Sequence, residues 1–247
     1  MKSGTMATPR GIIDHQAFPR EGPLAYNANL ELTELRARLA AGSGTLYCYV
    51  IDTIAELGGR FVQTGSGPNF QGGLVTLCTC KHNMRTFRSP PEWRGKWVAG
   101  FTGVGPGRGH NRLFFLMAVA HAFESHHQLW FSDAIPAEAK RAKAAHLDRF
   151  GDVYQPRTRA GNPFDPLDYV PPCRDHVECE SSHWHEDITY VGRITRRVPA
   201  LLVGDPGRSF LWNLGAIWLP SRVPRGQKNI DLPDLLAQLC EDPILAI

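Results

Sequence analysis

The stretch that most constrains this chain is residues 68–85, PNFQGGLVTLCTCKHNMR. A loop rich in proline and glycine gives way to a short apolar run, which ends in two cysteines, a lysine, a histidine and an arginine. A run of that length reads as a strand buried in a sheet. Its C-terminal end then sets reactive and cationic side chains at the sheet's rim, a common place for chemistry. A plainer account uses the same residues: cysteine packs as a small hydrophobe, and Lys or Arg after a strand is often a solvated turn.

The rest of the chain can bury such a strand. It has 247 residues, 43% of them apolar, with six Trp and twelve Phe, enough for a substantial globular core. A net charge of +3 permits a polyanionic partner without requiring one. No apolar run is long enough to span a bilayer, and the Met1 end lacks the apolar core of a signal peptide. The expected setting is therefore cytoplasmic, with no membrane partner. Cys48, Cys78, Cys80, Cys173, Cys179 and Cys240 then read as core residues, ligands or catalysts rather than as a disulfide framework.

Taken in order, residues 1–29 read as a loosely packed arm and 30–41 as a helix ended by Gly42-Ser43-Gly44. Residues 46–52, 96–102 and 112–119 read as strands, 53–67 as a loop, and the glycine-rich 103–111 as a flexible connection lacking the Lys-Ser/Thr of a P-loop. Residues 120–131 suit a helix or turn on the sheet. His126 and His127 are adjacent there, so their rings diverge and do not share a ligand. Residues 134–150 have helical propensity, with a polar face carrying Lys140, Arg141 and Lys143, either a phosphate-facing or a merely solvated surface. Residues 188–193, 199–204 and 210–219 read as strands or short aromatic segments, and 231–239 as a last helix capped by Asp231.

A second dense stretch, CRDHVECESSHWHED over residues 173–187, gathers Cys173, His176, Cys179, His183 and His185 among carboxylates. The spacing supplies enough ligands for a tetrahedral zinc without reproducing a standard finger. Alternatively His183 or His185 is a general base whose ring Asp187 holds, or the segment is a polar surface loop.

Several of these segments, in this order, resemble the bacterial and phage family called nucleotide modification associated domain, second type. The shared signals include the strand LYCYV from Leu46, the Pro68-Asn69-Phe70 loop, Thr76 to Lys81 leading to Arg85, Trp97-Val98 with Gly100, and Arg112-Leu113. They continue through Trp130, Gly151-Asp152 with Tyr154, Ser181 to His183, and Phe210, Trp212, Gly215 and Pro220. The likeness spans residues 45–220. It departs where the family favours Pro after the lysine and this chain has His82, and where Gly-Asp before Trp-Val is here Gly95-Lys96. The resemblance implies a link to modification of nucleic-acid bases, without a reaction. The strand succession is also similar to the small β-barrels of the PUA and EVE kind, which bind modified bases or RNA.

The expected fold is therefore α+β: a single domain with a curved, mostly antiparallel sheet or small barrel plus helical insertions. Its divisions are an N-terminal arm and helix at 1–44, the main domain at 45–220 and a packed C-terminal helix at 221–247. As an enzyme on nucleotides or nucleic-acid bases, it would use Cys80 as a nucleophile whose thiol is acidified by Lys81, His82 and Arg85. Asp152 would orient or deprotonate, and His183 or His185 would move a proton. Asn69, Phe70 and Tyr154 would receive a base, while Lys81 and Arg85 hold phosphate. As a reader, the same pocket would bind a modified base without turnover. As a zinc-stabilised interaction domain, it would do neither. No dinucleotide fingerprint, Walker motif or HExxH names a cofactor, and the oligomeric state is left open.

Overall fold

The computed structural model describes residues 14–105, 109–178 and 183–242. The sheet is built on β6 (Asn111–Phe123), a strand almost wholly buried. On one side β6 pairs antiparallel with β5 (Trp97–Thr102), which pairs parallel with β1 (Thr45–Ile51), which pairs antiparallel with β9 (Lys228–Asp231). On its other side β6 meets β8 (Ile217–Leu219) with its first residues and β7 (Leu201–Leu211) with the remainder. β10 (Cys240–Glu241) extends β8, and β4 (Thr76–Leu77) pairs with β7. The result is a single curled, half-barrel mixed sheet with helical insertions, an α+β fold in which β1–β5 is the parallel pair.

Register shifts between Gly100 and Phe101 and along residues 117–121 of β6 supply the curl, because an extra residue bends a strand and raises its twist. Gly100 is required at its bend for a second reason. A Cβ there would lie 2.3 Å from the Phe115 ring and 2.6 Å from Ile51, so any side chain would displace these packed neighbours.

Alternation along β1 shows why the strands read as continuous apolar runs. Leu46, Cys48 and Val50 join one buried cluster and Tyr47, Tyr49 and Ile51 another, so both sheet faces are covered. The first face is capped by α2 (Leu32–Arg38) and α9 (Leu232–Gln238) through Leu32, Leu35, Leu232 and Leu235. The second lies under Phe70, Leu77, Met84 and Trp93, from the loop before β4, β4 itself, α3 (His82–Arg85) and α4 (Pro90–Trp93). It is this second face that carries the candidate site.

Several segments differ from expectation. Residues 14–29 are packed: α1 (Gly22–Tyr26) buries Leu24, and Ala28 bridges to Leu211. The supposed loop at 53–67 contains a hairpin, β2 (Ile54–Leu57) and β3 (Arg60–Gln63), turned by Gly58 and Gly59 at positive φ. Past α5 (His126–Phe131), helix α6 (Ala137–Ala142) stops before Lys143, which is 1% exposed rather than on a polar face. Residues 184–189 form a helix where 188–193 suggested a strand; in chain order the short helices there are α7 (Arg174–Val177) and α8 (Trp184–Thr189). Asp231 occupies the cap position of α9, but its side chain makes no capping bond. No helix among the described residues is long and apolar enough to cross a membrane.

Candidate functional site

After β4 the chain turns through Cys78-Thr79-Cys80, and Lys81 enters α3 in the left-handed region at φ 57°. This turn sits between two groups of ionisable side chains of different character.

The first group is internal. Lys143 donates from Nζ to the Asn69 carbonyl (2.9 Å), Asn69 Oδ1 (2.9 Å) and the Leu74 carbonyl (2.7 Å), which uses all three ammonium protons. Asn69 spends its amide on the Phe150 carbonyl (2.7 Å) and Gln71 Oε1 (3.0 Å). Asp152 accepts from Thr76 Oγ1 (2.9 Å) and the Cys78 amide (3.2 Å). Burial pushes the Lys143 amine down to about 8 and raises the Asp152 carboxyl, and the opposite charge of each resists the other's shift. Asn69 and Asp152 are thus committed to tying the loop before β4 to residues 143–152. Phe70, 3% exposed, is a core ring rather than a surface for an extruded base.

The second group lies around α3 and α8. His82 Nε2 stands 2.7 Å from Asp187 Oδ1, close enough to pair when the ring is protonated, although the geometry is not that of an aligned hydrogen bond. The other Asp187 oxygen accepts the Tyr154 hydroxyl at 2.6 Å. His176 Nε2 lies 3.4 Å from that hydroxyl, and its Nδ1 donates to the Arg149 carbonyl at 3.0 Å. His82 stacks on Tyr190 with ring centroids 4.9 Å apart. Its side chain keeps 16% of its surface open, against 4% for Asp187. Burial and the neighbouring carboxylate hold the Tyr154 phenol well above its ordinary range.

Besides His82 Nε2, Arg85 and His126 each enclose an atom that makes no hydrogen bond among the described residues. Arg85 is wholly buried, donating from Nε to the Cys80 carbonyl and from Nη1 to the Ala200 carbonyl, both at 2.8 Å, while Nη2 makes no bond. His126 Nδ1 accepts the Tyr154 amide at 3.2 Å, which places the ring proton on Nε2, and that nitrogen is likewise enclosed and unpartnered. Burial, then the charges of Arg85 and His82, hold His126 neutral by lowering its pKa well below the usual value. His126 packs on Tyr154 and His127 on Phe131, so the neighbouring rings do diverge.

The sequence-derived residues divide accordingly. Cys80 is half-buried with Sγ 3.9 Å from the Tyr49 hydroxyl. Burial pushes its thiol up to about 11 despite the opposing pull of Arg85, Tyr49 and Lys81. The expected acidified thiolate is therefore reversed, because desolvation outweighs the nearby cations. Lys81 donates to the Arg225 carbonyl at 2.9 Å and lies over the Tyr49 ring. Arg85 and Tyr154 are enclosed and present no open surface to a phosphate or base. His183, just before α8, and His185, on it, are exposed; the helix's inward positions are Asp187 and Ile188, and the histidine that Asp187 meets is His82. Cys179 and Ser181 lie outside the described residues. Among those described, no group of three His, Cys, Asp or Glu side chains is placed to hold a metal ion.

Sequence reasoning set His82 beside Cys80, His176 among possible zinc ligands and Lys143 on a polar face, gave His126 no partner, and so missed the contacts these four make. The available signal for the first was its place in the dense turn after β4. No protein-family model, curated protein or solved structure matches this chain.

Proposed function

We propose that this protein acts on a nucleotide or nucleic-acid base as part of a base-modification system in the cytoplasm, with His82 rather than Cys80 as the proton-moving group. The observation that carries this reading is the His82–Asp187 contact at 2.7 Å on a partly open ring beside the Cys80-Lys81 turn. A carboxylate 2.7 Å from Nε2 is placed to orient the ring, the arrangement that a general base uses. Tyr154 holds the far side of the carboxylate, so Asp187 keeps its position as His82 changes charge. Lys81, next to His82, supplies a cation for a phosphate, and Tyr190 supplies a ring face. Because the resembled family favours proline at this position, the histidine would be a feature of this chain rather than of the family at large.

A reader without turnover is the second reading, favoured by the Cys80 thiol, which stays protonated at neutral pH and is no ready nucleophile. One experiment separates the two. Native mass spectrometry of protein purified from cells identifies a retained nucleotide or nucleoside, which then serves as the probe for nucleoside analysis of incubated DNA, RNA and mononucleotides. Catalysis by His82 predicts a modified product lost in His82→Ala and Asp187→Asn with the ligand still bound. A reader gives no product from the wild type, and Lys81→Ala weakens binding and its salt dependence.

A further inference from the structure

A separate cleft of about 820 Å³ opens away from this site, a volume in the range of small-molecule sites. Phe114, in its floor, lies near the start of β6, whereas β4 and α3 lie by the other end, where Leu202 faces both Ala122 and Leu77. The floor is aromatic: Phe70 meets Phe18 with centroids 5.9 Å apart and Phe114 at 6.2 Å. Its walls are fixed before any ligand arrives. Gln16 ties the arm down, donating its amide N–H to the Gln63 carbonyl (2.9 Å) and accepting from the Phe70 amide (2.8 Å). On the facing wall, Asn29 donates to Asn213 Oδ1 (2.9 Å) and accepts from the Asn213 amide (2.9 Å).

The charge of the cleft is one-sided. Arg20 and Arg60 stand exposed on its lining with no acidic partner among the described residues, and the described lining contains no Asp or Glu. Aromatic rings below and unneutralised guanidinium groups at the edge suit a flat apolar body bearing one anionic group.

We infer that this cleft binds a small aromatic anion, its ring against Phe18, which Phe70 backs, and its carboxylate, sulfonate or phosphate held by Arg20 and Arg60. This site is independent of the proposed chemistry at His82. The probe is 8-anilinonaphthalene-1-sulfonate, titrated into the full chain by fluorescence, with the uncharged N-phenyl-1-naphthylamine beside it. The expected result is saturation at one equivalent, with affinity falling by roughly tenfold in Arg20→Ala and in Arg60→Ala, the low end of a charge-assisted hydrogen bond. The uncharged analogue should bind more weakly than the sulfonate and ignore both substitutions. Ala17→Trp, which fills the cleft and leaves its charge unchanged, should abolish binding. All three positions are exposed, and circular dichroism checks that each variant folds. Absence of saturable binding would overturn the inference, as would affinity that is unchanged by the arginine substitutions or equal for the two dyes.

Discussion

Lys143 with Asn69 and Asp152, and His82 with Asp187 and Tyr154, are both buried polar groups flanking one turn, yet they are built differently. Around Lys143 every proton and nearly every lone pair is spent on a neighbour within the chain. Around His82 the network stops short: its ring is partly open, and Arg85 Nη2 and His126 Nε2 are enclosed without partners. A saturated network rigidifies what it joins and has nothing left to offer a ligand. An unsaturated one retains capacity at a cost in stability, and each buried orphan calls for an explanation. On the proposed reading the first group is scaffold and the second would carry the chemistry.

The sharpest way to break it is Lys143→Met. Three acceptors would lose their donor and Asp152 would stay buried without its counter-charge, so urea unfolding should show a loss of roughly 3–5 kcal/mol. This contrast also has a pH signature. Lys143 titrates near 8 when folded and near 10.5 when unfolded, so between those values the unfolded chain binds the extra proton. The Lys143 contribution to stability should therefore rise with pH across that window, and the wild type should gain on Lys143→Met as pH increases. A flat difference would mean that the ammonium is not desolvated as the packing indicates.

Cys80 comes next in size. A thiol held at about 11 instead of 9.0 has about a hundredfold less thiolate at neutral pH, so alkylation by iodoacetamide, followed by peptide mapping, should be slow at Cys80 and keep rising past pH 9. A rate that levels off by pH 8 would restore the nucleophile and demote His82. Tyr154→Phe should cost about 1–2 kcal/mol through the lost bond to Asp187. It should also lower any turnover that His82 supports beyond the loss of folded protein, whereas a purely structural tyrosine would leave turnover per folded molecule in place. Smallest of all, His183→Ala, just before α8, and His185→Ala, on its open face, should change stability by no more than about 0.5 kcal/mol. A larger effect on turnover would return the proton-transfer role to α8.

Pattern alone located much of the frame. The apolar runs at 46–52, 96–102 and 112–119 correspond to β1, β5 and the centre of β6, because strands covered on both faces must be apolar throughout. The hairpin at 54–63 was hidden because its strands are half-exposed and carry little alternation, leaving Gly58-Gly59 as the one visible sign. Lys143 read as surface because it follows Lys140 and Arg141. Helical propensity cannot reveal that the helix ends at Ala142, turning the next side chain inward.

The candidate site divides along the same line. Residue types and local order were enough to mark the turn after β4 as chemically dense and Asp187 as a carboxylate that would meet a histidine, since both depend only on what stands in the chain. Which histidine Asp187 meets, and whether Cys80 is acidified or suppressed, were decided by tertiary structure alone. Pairing across distant segments and the balance between desolvation and nearby charge depend on three-dimensional distance and burial, and neither is written in sequence separation.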